Sequence, residues 1–229
     1  MITTDPSPVA QHRSPPVESA KQRLAARSKD PAVLAEVYRE DINIAIWQRQ
    51  LSDELLHAVD RLVKSNPALM ASMTVSPRSA LASISEALGS TQQCVVSRNI
   101  VELVEMFCSL FGLKRAGLRL GVLDSAMCPK FHVDRVPCRL VTTYLGGGTE
   151  WLNHASVDRS KLGTGSRGKS DLESGLIESP NDIRQLGSGD VALLKGELWE
   201  GNEDAGLVHR SPAVEDGDLR LLLTLDVSD

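Results

Sequence analysis

The chain carries no surplus of basic charge, no long apolar run and few aromatic side chains. Its formal charge of −5 at neutral pH argues against a broadly basic nucleic-acid surface. No segment approaches the roughly 18 consecutive apolar residues that a membrane helix needs, and the N-terminus lacks the basic-then-apolar pattern of a secretory leader. The expected setting is the cytoplasm, with neither membrane nor nucleic acid as partner. The four cysteines, Cys94, Cys108, Cys128 and Cys138, form no Cys-x-x-Cys pair, so reduced thiols are expected. Cys94 and Cys108, in apolar helical surroundings, read as core thiols. Aromatic residues make up 3% of the chain, and Phe131, Tyr144, Trp151 and Trp199 lie close in sequence to the polar motifs described below. Core packing is the preferred reading for Phe131 and Trp199.

What is present suffices for one compact unit, since 41% of 229 residues are hydrophobic. Residues 1–28 hold Pro6, Pro8, Pro15 and Pro16 among polar and charged neighbours, a composition expected to form a mobile tail. Residues 29–115 read as mainly helical. Asp30-Pro31 starts a short helix, residues 42–47 alternate like a strand, and Ser52-Asp53-Glu54 caps a helix whose apolar stripe is Leu55, Leu56, Val59, Leu62 and Val63. Ser76-Pro77 opens another helix ending at Gly89, and a fourth spans Asn99 to Phe111 before Gly112.

From residue 116 onward the character changes. Residues 116–123, 139–144, 190–194 and 220–226 are short β-type runs separated by Gly, Pro and Asp. The expected fold is α+β, a double-stranded β-helix (jelly-roll) core over 116–229 with the helical part packed on it. Residues 29–229 are expected to form one domain.

Within the strand-rich half, His132 and Asp134 are two residues apart, so on a strand they share a side. His209 lies in the later segment His209-Arg210-Ser211-Pro212, and Arg220 follows it by eleven residues. Two histidines and one carboxylate on one face of a metal leave positions open for other ligands, the arrangement of non-heme Fe(II) oxygenases. The pattern resembles the 2-oxoglutarate and Fe(II) dependent dioxygenases, in which a His-x-Asp pair and a distal His hold the iron and a basic residue further on pairs with the far carboxylate of 2-oxoglutarate. On this resemblance His132, Asp134 and His209 are metal ligands and Arg220 is the cosubstrate-binding cation. Thr142 or Tyr144 is expected to add a hydroxyl to that carboxylate. Arg139 and Trp151 are candidates for the substrate pocket, and Glu150 for a group that orients a ligand histidine.

The chain also resembles a bacterial domain-of-unknown-function family through Cys128-Pro129-Lys130-Phe131-His132-Val133-Asp134, Tyr144-Leu145-Gly146 with Gly148-Thr149-Glu150-Trp151-Leu152, and His209-Arg210-Ser211-Pro212. That resemblance implies association with metal-handling proteins and zinc homeostasis. It makes a non-catalytic metal-binding protein, using the same His/Asp/His site for zinc, the alternative to an oxygenase of unknown small-molecule or protein substrate.

Other polar features have plainer readings. Cys128 and Cys138 flank His132 and Asp134, and thiolate with imidazole suits zinc, yet four ligands strung along one strand scatter their side chains. Gly146-Gly147-Gly148 lacks the strand-then-helix setting of a phosphate loop and reads as a turn requiring positive φ. The stretch 159–169, with Arg159, Lys161, Arg167 and Lys169, is a solvated loop or a lid over an anionic substrate. His12, His57 and His154 have no partner pattern.

Overall fold

A computed structural model describes residues 22–89 and 95–228. The expected tail up to residue 21, with His12, and also Cys94, lie outside them. The end of the segment assigned to the tail is instead β1, Leu24–Ser28, which pairs in parallel with β2, Ile42–Trp47. Between these strands, Asp30 accepts a hydrogen bond from the Ala32 amide at 2.9 Å, and Pro31 opens a 3₁₀ helix, Pro31–Tyr38, that buries Val33, Leu34 and Val37. The alternation read in β2 is overridden by tertiary packing. Ile42 through Ile46 are all buried because both faces of the strand are covered.

Helix α1, Asp53–Ser65, begins as expected: Ser52 accepts from the Leu55 amide, and Asp53 and Glu54 occupy the positive end of the helix dipole. Its buried stripe is Leu55, Ala58, Val59 and Val63, while Leu56 faces solvent. A strand absent from the sequence reading follows, β3 at Met70–Val75. Helix α2 spans Ala80–Ala87, and α3 spans Val95–Phe111, starting four residues before the expected Asn99. Gly89 and Gly112 end the two helices at φ of 63° and 64°.

The remaining strands are β4 (Ala116–Leu123), β5 (Cys138–Leu145), β6 (Glu150–Leu152), β7 (Ile183–Gln185), β8 (Val191–Lys195), β9 (His209–Arg210) and β10 (Arg220–Val227). They form a seven-stranded sheet in the order β1-β2-β8-β5-β10-β4-β3 and a three-stranded sheet in the order β7-β6-β9. From β4 onward the chain crosses repeatedly between the sheets: β4 in the large one, an isolated bridge at His132 in the small one, β5 large, β6 and β7 small, β8 large, β9 small, β10 large. That winding is a double-stranded β-helix. The large sheet is wider than the 116–229 region alone provides, because β1, β2 and β3 extend it at both edges.

Strand alternation sorts the core into two layers. Leu140 and Tyr144 of β5, Val191 and Leu193 of β8, and Leu221, Leu223 and Leu225 of β10 pack with α1, α2 and α3. Val141, Ala192 and Leu194 point the other way, to Trp151 and Leu207 of the small-sheet side. The helices thus stiffen one face of the large sheet, and the opposite face lines the interior of the β-helix, where the metal-ligand candidates lie. Among the described residues no helix is long and apolar enough to cross a membrane.

Candidate metal centre

His132 and His209 face each other across an antiparallel bridge, each amide donating to the other's carbonyl at 3.0 Å. This pairing brings their rings to 4.6 Å between centroids. Asp134, two residues beyond His132, points to the same side, with carboxylate oxygens 3.7 Å from His132 Nε2 and 3.4 Å from His209 Nε2. One ligand atom from each of the three residues lies within 4.8 Å of the others. Close packing fixes the loop after Asp134: a Cβ at Gly196 would lie 2.0 Å from the Val136 carbonyl and 2.7 Å from that of Asp134, which only glycine avoids.

The imidazole orientations follow from their other nitrogens. Nδ1 of His132 donates to the Lys130 carbonyl at 2.9 Å and Nδ1 of His209 to the Leu207 carbonyl at 3.1 Å. A carbonyl only accepts, so in each neutral ring Nδ1 carries the proton and Nε2 presents its lone pair. Both lone pairs converge on an ionised carboxylate. Burial pushes the Asp134 carboxyl up, but the adjoining His209 ring, the Arg139 cation and the His132 ring outweigh it and hold the group at about 2. Burial, then the neighbouring His209, pushes the His132 imidazole below its ordinary value. Three converging acceptors in one spot are satisfied by a cation, and two imidazoles with one carboxylate suit a divalent metal with open positions.

Arg139 holds the carboxylate in place. Its Nη1 donates to Asp134 at 2.6 Å, while Nε and Nη2 grip Asp226 at 2.6 and 3.0 Å. Asp226 is the residue directly opposite Arg139 on β10. Arg139 also lines a cavity of about 180 Å³ that His132, His209, Val141, Leu194 and Leu222 share.

Arg220 lies on the same inward face, at the start of β10, with 1% of its surface exposed. Nη2 donates to Thr143 and Thr149 hydroxyls at 3.2 and 3.1 Å, Nε has no partner, and no ion pair forms with any carboxylate among the described residues. Burial pushes the guanidinium down to about 10. Thr149 belongs to the wall of the metal-site cavity, so Arg220 stands immediately behind that wall.

Other expected site residues lie elsewhere. Thr142 and Tyr144 point to the helix-facing side of β5; the Tyr144 hydroxyl donates to Asn99 on α3 at 2.9 Å. Thr143, one residue over, has the inward position. Glu150 orients neither histidine and instead accepts from Arg210 at 2.6 Å; Arg210 also reaches Asp171 at 2.7 Å. Trp151 is the cross-strand neighbour of His209, but it packs in the inter-sheet core with Ile44 and Val141 rather than lining the cavity. Cys138 is fully buried on the helix-facing side, so Cys128, His132, Asp134 and Cys138 do not converge as a zinc set. Residues 159–169 fold into short 3₁₀ turns, and none of them lines the cavity. Gly146 has φ of 85°, as its reading as a turn requires.

No curated protein matches the sequence. Among solved structures, the chain is similar to a dioxygenase for auxin oxidation in rice, with 12% identity, a TM-score of 0.47, and 90% of this chain and 82% of that one covered. It is similar to a full-length Neurospora crassa protein solved in complex with alpha-KG, at 10% identity and a TM-score of 0.45, covering 93% and 86%. A Pseudomonas putida prolyl-4-hydroxylase matches at 11% identity and a TM-score of 0.40, covering 85% and 96%. The family model described as Protein of unknown function (DUF1826) matches residues 28–226, and the chain belongs to that family.

Proposed function

We propose that the chain is a non-heme Fe(II) and 2-oxoglutarate dependent oxygenase. The observation that carries this reading is Arg220, a buried cation without an acidic partner among the described residues, behind the wall of the cavity that His132 and His209 line. A buried unpaired charge is costly unless something completes it, and a carboxylate delivered by a small molecule does so.

In this reading His132, Asp134 and His209 hold the metal, and Arg139 keeps Asp134 ionised and turned toward it. Thr143 and Thr149 fix one edge of the Arg220 guanidinium, so little side-chain freedom is lost when it meets a carboxylate. Val141, Leu194 and Leu222 give the cavity apolar walls that exclude water. When bound, Fe(II) and 2-oxoglutarate supply the reduction of O₂ that drives oxidation of a substrate. Non-catalytic zinc binding uses the same three ligands and assigns no task to Arg220.

Calorimetric titration of 2-oxoglutarate into anaerobic, Fe(II)-loaded protein separates the two. Arg220→Ala is expected to weaken 2-oxoglutarate by about a hundredfold, the equivalent of about 3 kcal/mol for two charge-assisted hydrogen bonds, and to change metal affinity little. Metal-loaded wild-type protein that takes up no 2-oxoglutarate contradicts the oxygenase reading and favours metal handling.

A further inference from the structure

A second cavity, of about 650 Å³, shares no lining residue with the metal site. Its walls include Arg23, Tyr38, Lys195, Trp199 and Asn202. Lys195 ends β8 and, by strand alternation, points with Val191 and Leu193 to the helix-facing side of the large sheet, away from the metal centre.

Two cations are buried here, Lys195 at 2% and Arg23 at 6% exposure. Among the described residues their hydrogen-bond partners are all neutral. Lys195 Nζ donates to the Arg39 carbonyl at 2.7 Å and sits 4.9 Å from the centre of a Trp199 ring. Arg23 donates to the Asn202 side-chain oxygen at 2.8 Å and to the Gly201 carbonyl at 2.9 Å. Asn202, 1% exposed, is anchored in turn to the Gly196 carbonyl at 3.2 Å. Neither cation forms an ion pair among the described residues. Burial, then the charge of Arg23, pushes the Lys195 ammonium down to about 8, against the opposing influence of Cys138, Asp41 and Glu40.

Packing alone does not account for this. A methionine would fill the Lys195 position and a glutamine would keep a bond to Asn202, each without burying a charge. The cations adjoin a cavity, and an anion there would complete both.

We propose that this cavity is a binding site for a compact oxyanion, a phosphate or carboxylate group held between Arg23 and Lys195 beside the Tyr38 and Trp199 rings. Glu40 and Glu200 also line the cavity, so the site disfavours large polyanions and selects a small ligand. The proposal is independent of the oxygenase reading, because none of its residues belongs to the metal site.

Titration of inorganic phosphate into the metal-loaded full chain tests it, followed by calorimetry and by thermal unfolding. The expected result is saturable binding that raises the unfolding midpoint of the wild type. Lys195→Met and Arg23→Gln are each expected to weaken it about tenfold or more and to remove the midpoint shift. If one variant fails to fold, the other carries the comparison. No saturable phosphate binding to the wild type, or binding with equal affinity in both variants, overturns the proposal.

Discussion

Alanine in place of Asp134 will abolish tight binding of divalent metal. Asp134 supplies the single negative charge among the three ligands, 3.4 and 3.7 Å from the two imidazole Nε2 atoms. Its removal leaves two neutral rings and the nearby Arg139 cation, a combination that repels a metal ion. The fall in affinity should exceed the roughly 10–100-fold that loss of an outer partner costs. Competition against a chelating dye measures it. The metal-free variant should still fold, because each imidazole Nδ1 keeps its carbonyl and the His132–His209 bridge is made by backbone. What should vanish is the rise in unfolding midpoint on adding metal. Wild-type metal affinity in this variant would mean that the metal binds elsewhere.

Arg139→Ala is expected to give the largest loss of stability. The guanidinium bridges Asp134 and Asp226, whose side chains are 14% and 13% exposed, so its removal strands two mostly buried carboxylates. Breaking a buried pair by removing one partner costs about 3–5 kcal/mol, far more than losing an exposed ion pair. Arg119, at 3.2 Å from Asp226 and 60% exposed, offsets only part of this. Asp134 would lose its orienting partner as well, so metal affinity should fall about 10–100-fold. Urea unfolding of the metal-free protein reads the stability. A loss under about 1 kcal/mol would show that the bridge behaves like a surface pair.

The contrast between these residues and Thr142 or Tyr144 marks how far the sequence could be read. His132 and Asp134 were legible because a two-residue spacing on extended backbone fixes a shared side without knowledge of the fold. That His209 meets this pair and Arg220 stands behind the cavity wall follows from no local rule, since the residues are so distant in sequence, and was expected only through the resemblance. Thr142 and Tyr144 were placed on the wrong face of β5. The sequence held a corrective signal: Arg139 and Thr142 cannot share a face of a regular strand, whereas Arg139 and Thr143 do. Thr149 and Asp226 carried no such signal, because their roles arise from cross-strand register.

The helices were found because caps and 3.6-residue periodicity are local, as Ser52 and the Leu55, Val59, Val63 stripe illustrate. Strands β3, β6 and β7 were missed. β6 and β7 have only three residues each and no pattern long enough to recognise. β3, Met-Ala-Ser-Met-Thr-Val, is an edge strand, and the alternation of Ala71, Met73 and Val75 with the exposed Ser72 and Thr74 is the signal that could have found it. β1 was hidden by the polar, proline-rich segment preceding it.

Visible absorption of the anaerobic protein during addition of Fe(II) and then 2-oxoglutarate tests the central claim most directly. Chelation of Fe(II) by a 2-oxo acid gives a charge-transfer band that neither component gives alone. The account predicts that the band appears with one equivalent of each in the wild type, is absent in Asp134→Ala, and is lost or needs far more 2-oxoglutarate in Arg220→Ala. Fe(II) binding with no band at saturating 2-oxoglutarate would contradict it.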